Sequence, residues 1–339
     1  MAAPKLTRKK MVLVQTEATE GTDAGTISTA NNFLLCEEAS VTPEVQVIER
    51  PSLKPYLSPL PSVVGGMFAN WSITFELKGA GESAGAVDLP DWDPVFRACG
   101  MWRQTNDPAP AEYYDYFPAT KGMHTTVGSI VSDQSMTLYL YEDGTVWKLT
   151  GCWGNLTISG SAGERVMCTA EGMGLLHSAD TYAGNVDAVW PSSMTFDTEL
   201  PPTCLSMSCS LDGGTANAAT FSLDLGNEVS ARPCVNKASG YLGFVITNRN
   251  PTGSIDPEIV AADDGNTDWF HQFKTSGDTG NFGVNLNTGA ANGLVIQISA
   301  PEAQIVSFAE GDRNGVLTAD LGLAFRRSSG DDEIKIRLT

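Results

Sequence analysis

Apolar and polar residues alternate in several short segments, which is typical of strands with one face on a core and the other in water. In residues 71–77 every odd position is apolar and every even position is polar, and residues 221–225 repeat the pattern. Residues 41–47 and 254–259 follow it more loosely. The polar faces of these four predicted strands carry the following carboxylates: Glu44, Glu76, Asp224, Asp256 and Glu258.

These five carboxylates have two interpretations. If the polar faces of the strands line a common cavity, its wall is acidic. Otherwise they are ordinary solvent-facing side chains on an outer surface. Periodicity alone does not decide between a channel wall and an outer surface.

A short motif occurs twice, which points to an internal repeat. The two copies are Asp91-Trp92-x-x-x-Phe96-Arg97-x-x-Gly100 and Asp268-Trp269-x-x-x-Phe273-Lys274-x-x-Gly277. In each copy the Trp and the Phe, four residues apart, share one face of a helix. The Asp suits the N-terminal end, and the basic residue and Gly suit the C-terminal end. Each copy therefore predicts a short amphipathic helix that packs on a core rather than binding a ligand.

Two further segments recur around the helices. A valine-led strand ends in Arg-Pro at residues 47–51 and again at 229–233, and Thr-Ala followed by an acid begins residues 169–175 and 318–323. The distance from the helix to the second segment is 169 − 91 = 78 residues in the first copy and 318 − 268 = 50 in the second, so the first copy carries about 28 additional residues.

The repeat predicts a mainly β protein with two tandem units, each carrying one short flanking α-helix. The predicted divisions are an N-terminal arm (1–30), a first unit (31–176) with an insertion at about 102–130, a connection (177–203) and a second unit (204–339).

Charge and cysteine content narrow the function classes. The chain of 339 residues has 40 acidic and 21 basic side chains and a net charge of −19, so a surface that grips DNA phosphates is not expected. Seven scattered cysteines without a CxxC pair predict buried thiols in a reducing cytoplasm rather than a zinc site or disulfides. No apolar run reaches the roughly 18 to 20 residues of a membrane span, so no membrane insertion is expected.

Candidate catalytic chemistry is sparse. None of the three histidines has HExxH spacing, and no phosphate-cradling P-loop is present. We therefore expect a protein that is not an enzyme and that binds neither a cofactor nor a metal. A hydrolase that uses a carboxylate pair is a further alternative, but a chain with 40 acids does not point to one specific pair.

Several segments, in the same order along the chain, carry a family resemblance. They are residues 15–22 (QTEATEGT), 49–51 (ERP), 75–79 (FELKG), 223–229 (LDLGNEV), 252–258 (TGSIDPE), 300–304 (APEAQ) and 331–336 (DDEIKI). With these segments the chain resembles the major tail tube proteins of long flexible-tailed, siphovirus-type bacteriophages.

The resemblance implies β-sandwich units whose hairpins join neighbouring subunits into a β-barrel around a channel. It implies stacked rings in the virion tail, made in the host cytoplasm, with a tape measure protein and a tail terminator as partners. DNA would pass through the lumen without specific binding. Because this chain carries two units, a ring of three chains with pseudo-sixfold symmetry is the natural closure, and a hexamer is the alternative.

The competing hypothesis is a virion β-sandwich module that binds a receptor or a carbohydrate. In that case the aromatic side chains Tyr113, Tyr114 and Tyr116 would form an exposed contact patch.

Overall fold

The fold is that of a computed structural model, which describes most of the chain. The described residues are 6–25, 33–83, 86–106, 113–121, 130–143, 145–176, 199–260, 268–275, 280–286 and 293–339. Strands dominate and two short helices accompany them, so the mainly β prediction is confirmed. No helix in these ranges is long and apolar enough to cross a membrane.

The elements of the first half are β1 (Lys10–Thr16), β2 (Phe33–Leu34), β3 (Cys36–Ile48), β4 (Val63–Glu76), β5 (Glu82–Ser83), β6 (Ala86–Val87), α1 (Asp93–Ala98), β7 (Met101–Asn106), β8 (Tyr113–Pro118), β9 (Ile130–Val131), β10 (Met136–Glu142), β11 (Thr145–Ser161) and β12 (Met167–Leu176). Those of the second half are β13 (Ser208–Leu211), β14 (Gly214–Thr215), β15 (Ala218–Asp224), β16 (Asn227–Pro233), β17 (Tyr241–Arg249), β18 (Thr252–Pro257), α2 (Trp269–Lys274), β19 (Gly280–Leu286), β20 (Ile296–Arg313), β21 (Val316–Arg326) and β22 (Lys335–Leu338).

Eight strands form one continuous antiparallel surface, which we call the eight-strand sheet. Its order is β3-β4-β12-β11-β15-β18-β21-β20. The two halves of the chain meet where β11 pairs with β15, from Thr157 opposite Asp224 to Ser161 opposite Thr220. Within the described residues the sheet is open, with β3 and residues 304–313 of β20 at its two edges, while residues 296–303 of β20 pair with β19 and β22.

The core lies behind one face of the eight-strand sheet. On β4 the apolar residues of the alternating segment, Trp71, Ile73 and Phe75, are buried. They belong to the same hydrophobic cluster as residues of β1 and β10, namely Val12, Val14, Leu138 and Leu140. Because side chains alternate between the faces of a strand, the polar residues between them face away from this core.

The long hairpins of the two halves have the same pairing. Ala39 lies opposite Ile73 on β3 and β4, and Phe221 lies opposite Ile255 on β15 and β18. The offset is 221 − 39 = 255 − 73 = 182 residues. It recurs beyond a register shift that both hairpins contain, where Val47 lies opposite Val64 and Val229 opposite Ile246. The repeat is therefore conserved at the level of individual strand partners.

Two of the predicted divisions contain strands that pair with the rest of the fold. Residues 10–16 of the predicted N-terminal arm form β1, which pairs with β10 along its whole length because Met11 to Val14 are buried. In the predicted insertion, β7 and β8 form a hairpin, and β8 also pairs with β22, where Asp115 lies opposite Arg337. Residues 107–112 and 122–129 of the insertion, and residues 177–198 of the predicted connection, lie outside the described residues.

Candidate assembly surface

The exposed side of the eight-strand sheet, which we call the polar face, is lined by hydroxyls, amides and carboxylates. Directly paired residues of antiparallel strands point to the same side, so the pairing defines its members. Across the strands they include Ser40, Ser72, Glu171 and Asn155 in the first half, and Ser222, Ser254, Thr252 and Asp320 in the second. The polar face thus crosses both halves of the chain without an apolar stripe at their junction.

Two of the predicted channel-lining carboxylates, Glu44 and Asp224, accept hydrogen bonds from amides. Asn70 Nδ2 lies 3.3 Å from Glu44 Oε1, and Asn155 Nδ2 lies 2.7 Å from Asp224 Oδ1. Neither carboxylate has a salt bridge among the residues that the structure covers, so within these residues no basic side chain offsets either of them on this face.

The other three predicted channel residues are paired with arginines at one end of the sheet. Arg165 contacts Glu76 and also Glu37. Arg313 lies 2.9 Å from Asp256 and 3.7 Å from Glu258. Since 258 − 76 = 182, Glu76 and Glu258 are repeat counterparts, and an arginine contacts each of them. Charge on the polar face is therefore partly neutralised at this end and more strongly negative elsewhere.

The sequence analysis missed two exposed acids of the polar face. Glu171 lies opposite Ser72 and Asn155, and Asp320 lies opposite Ala309. Both lie in the recurring Thr-Ala-acid segments, which were the available signal. Strand pairing shifts these segments by two residues relative to each other, since Ala170 lies opposite Ile73 and Leu321, not Ala319, lies opposite Ile255. Without the neighbouring strands, their side of the sheet could not be assigned.

The two edges of the eight-strand sheet have backbone without a second strand. β3 pairs with β4 alone, and residues 304–313 of β20 pair with β21 alone, as far as the described strands show. At the β3 edge the backbone carbonyl of Ala39 accepts a hydrogen bond from a side chain, Lys10 Nζ, at 3.2 Å. Unpaired strand edges are templates for pairing with another chain.

Beyond the sheet each long hairpin continues as an arm. The second arm (residues 227–249) lies on the first half of the same chain. Asn227 Nδ2 donates to Cys99 O at 2.6 Å, and Met67 N donates to Ser239 O at 2.9 Å. The ring centroid of Phe68 is 5.8 Å from that of the buried Phe244.

The first arm (residues 45–67) is the repeat counterpart of the second arm and is largely uncovered. Its exposed apolar side chains are Val45, Val47, Ile48, Leu53, Tyr56, Leu57, Leu60, Val63 and Val64. An apolar group of this size on a soluble protein marks an interaction surface.

The first of the two repeated helices is enclosed by its surroundings. Trp92 and Phe96 are buried, and Trp92 Nε1 donates to Lys78 O at 2.8 Å. Arg97 is buried and donates to Ser132 O, while Asp91 is half-buried just before the helix. Burial lowers the pKa of the Arg97 guanidinium, which neighbouring Asp93 opposes.

The second helix has a different environment. Trp269 is buried, whereas Phe273 is 36% exposed and Lys274 is exposed. Asp268 caps the helix by accepting from His271 N at 2.9 Å. The two copies thus share a buried Trp, and they differ at the Phe because the first copy has extra strands around it.

Tyr116, which the competing hypothesis places in an exposed aromatic patch, is fully buried and donates from its hydroxyl to Asp93 Oδ1 at 2.9 Å. Tyr113 and Tyr114 are half-buried, and the Arg337 guanidinium lies 4.1 Å from the Tyr113 ring centroid. This part of the chain therefore does not present the three tyrosines as one contact patch.

Catalytic chemistry finds little geometric support. A Gly-x-Ser-x-Gly spacing does occur at residues 81–85, but Ser83 lies in β5, which pairs with β6 in a two-stranded ribbon instead of leading into a helix. Burial raises the pKa of the thiols of Cys36 and Cys209 to about 11. No cluster suited to a metal ion occurs among the residues described.

Comparison with known proteins gives one match of wide coverage. A family model described as phage tail tube protein matches residues 8–326. No curated protein matches the chain. The matched region contains the complete eight-strand sheet and both arms.

Proposed function

The chain belongs to the phage tail tube protein family, and from that premise we propose that it assembles into stacked rings that form the hollow tail tube of a siphovirus-type phage. In this role the chain is a structural component of the virion that oligomerises, and phage DNA passes through its lumen into the host cell.

The observation that carries the proposal is the open eight-strand sheet with one polar face. Exposed strand edges are a hazard in a monomer, and closing a ring removes them. Copies that join edge to edge would place the polar face around a channel and the core outside it. The two arginine–carboxylate clusters, around Arg165 and Arg313, and the two long hairpins then recur around the ring at equal intervals.

A ring of three chains agrees with the repeat inside the chain. Three copies of the eight-strand sheet supply 3 × 8 = 24 strands. With strands about 4.8 Å apart and tilted by about 40°, a closed barrel of that size has a backbone diameter of about 48 Å. Such a bore admits a DNA duplex, whereas six copies would roughly double it. Three chains carrying two related halves each give pseudo-sixfold symmetry.

The polar face suits passage of DNA rather than its capture. Glu44, Glu171 and Asp224 would repel phosphates, and screening at physiological salt confines this repulsion to about 8 Å from the wall. The wall therefore repels DNA that comes close to it, while the centre of the channel stays open to DNA. In the assembled tail, a tape measure protein would occupy the channel before ejection and a tail terminator would close the tube.

Electron microscopy of the purified chain tests the proposal. We expect hollow rings or filaments with three chains in each ring. Six chains in each ring would overturn the three-chain closure but keep the tube. Discrete globular particles at all concentrations and salt conditions would overturn the tube itself.

A further inference from the structure

The internal junction, where β15 pairs with β11, has counterparts at the two free edges of the eight-strand sheet. β15 pairs with β18 on one side and with β11 on the other. In the first half β3 corresponds to β15 and β4 corresponds to β18, but β3 pairs with β4 alone. By the offset of 182 residues, Thr220, Ser222 and Asp224 of the internal junction correspond to Glu38, Ser40 and Thr42 on the edge of β3.

The partner strand of the internal junction also has a counterpart. Two successive strand pairings identify it. In the first half Leu156 of β11 lies opposite Ala170, which lies opposite Ile73. In the second half Phe308 of β20 lies opposite Leu321, which lies opposite Ile255. Since Ile255 is the counterpart of Ile73, Phe308 is the counterpart of Leu156. Continuing along the strands, Ala309 corresponds to Thr157 and Arg313 to Ser161. The free edge of β20 is thus the second copy of the edge that β11 offers to β15.

We propose that the junction between chains copies the junction within the chain, so that β3 of one subunit pairs with residues 309–313 of β20 in the next. This inference rests on the proposed ring. Inside the chain Thr157 lies opposite Asp224, and Ser161 lies opposite Thr220. Between chains, the same register sets Ala309 opposite Thr42 and Arg313 opposite Glu38.

Charge complementarity on both faces of the sheet supports this register. On the polar face, Glu38 of one chain meets Arg313 of the next. On the opposite face, Asp312 lies opposite Ala39, and the Lys10 ammonium is already 3.2 Å from Ala39 O. Lys10, which also forms a salt bridge with Glu142 at 2.6 Å, therefore meets the incoming Asp312 carboxylate, and opposite charges face each other at both positions.

The junction between chains is more polar than the internal one. Where Ile158 lies opposite Leu223 inside the chain, with both side chains buried, the free edges bring Glu310 opposite Val41. Less apolar surface is buried at this point, so the chain remains soluble before assembly and the arm contributes more of the contact.

The arms provide a second, independent observation. Val229 and Ile246 of the second arm are half-buried on the first half of the chain, whereas their counterparts Val47 and Val64 are each 60% exposed. The second arm is thus packed against its own chain, whereas the corresponding residues of the first arm are exposed to solvent. A neighbouring chain in the copied arrangement places its second half under the first arm and covers these residues.

Disulfide cross-linking tests the register. In an antiparallel pair, opposing Cα atoms lie about 4.5–5.5 Å apart, which is within the range that a disulfide spans. Thr42→Cys and Ala309→Cys are made in separate chains, mixed, assembled under reducing conditions and then oxidised. We expect cross-linked heterodimers on a denaturing gel, and mass spectrometry should identify the disulfide-linked peptide that joins positions 42 and 309.

The matched control pairs Thr42→Cys with Glu310→Cys, whose side chain lies on the opposite face. It should cross-link at least tenfold less, and each single variant alone should match the parent chain with its seven native cysteines. Rings visible by microscopy without a cross-link between positions 42 and 309 would overturn the proposed register while the tube function stands. If neither rings nor cross-links form although each variant is folded by circular dichroism, both proposals fail.

A chain carrying both Thr42→Cys and Ala309→Cys separates the remaining outcomes. A cross-linked ladder that ends at three chains supports the register and the three-chain ring together. A ladder that continues past three supports the register and overturns that ring size.

Discussion

Replacing Val64 by serine should impair assembly without destabilising the subunit. Val64 is 60% exposed in the isolated chain, and covering a valine completely contributes about 1.5–3 kcal/mol. Covering the exposed fraction at one junction therefore contributes about 1–2 kcal/mol, which corresponds to roughly a tenfold change in the association constant. The expected effect on the free energy of unfolding is within about 0.5 kcal/mol, since an exposed substitution removes little packing.

The repeat supplies the matched control, Ile246→Ser. Ile246 is half-buried, and a Cβ placed on Gly100 would lie 2.7 Å from its Cδ1, so its packing within the chain is close. This variant should lose about 1–3 kcal/mol of unfolding free energy in the subunit itself.

Two assays separate these effects. Urea denaturation of the unassembled chain measures the free energy of unfolding, and sedimentation velocity over a concentration series measures association. If Val64→Ser destabilises the subunit as much as Ile246→Ser, the first arm is covered within its own chain. Unchanged association would show that the arm takes no part in the ring.

Three further predictions concern charge and pH. Glu44→Lys with Glu171→Lys should leave rings intact and lower infectivity, with the glutamine pair intermediate; normal plaque counts would remove both acids from the channel wall. Burial and the nearby Asp93 carboxylate raise the pKa of Tyr116 well above its usual value, so the stability it contributes is present below about pH 10 and lost as pH rises further. Tyr116→Phe should flatten alkaline unfolding monitored by circular dichroism, and an unchanged curve would contradict this. Although burial opposes it, hydrogen bonds from Thr120 and the Arg249 charge lower the pKa of Asp331. That stabilisation is present above the usual pKa near 3.8 and lost as pH falls below it. Hydrogen exchange at the base of the second arm should therefore accelerate below about pH 4 in the parent and not in Asp331→Asn.

The alternating segments were a good guide to the eight-strand sheet because its two faces differ in polarity. Strict alternation at residues 71–77 and 221–225 identified β4 and β15 and the side of each that is wet. The Arg-Pro repeat already contained the offset of the hairpins, since 232 − 50 = 182.

The sequence did not predict which strands pair with each other, because pairing joins residues that are far apart in the chain. Nothing local to β15 indicates that it pairs with β11, since the partners Ser159 and Ser222 are 222 − 159 = 63 residues apart. Likewise the helix motif specifies which side chains share a face but not what surrounds them. Phe96 meets Tyr116 from β8, and its counterpart Phe273 packs beside Phe308 while remaining partly exposed.

A view down the axis of the assembled tube by electron cryomicroscopy tests the central claim most directly. The account predicts three chains around one channel, 3 × 8 = 24 antiparallel strands, and β3 of each subunit hydrogen-bonded to β20 of the next with the polar face inward. A channel lined by the apolar side of the sheet, or subunits that meet without strand pairing, would contradict it.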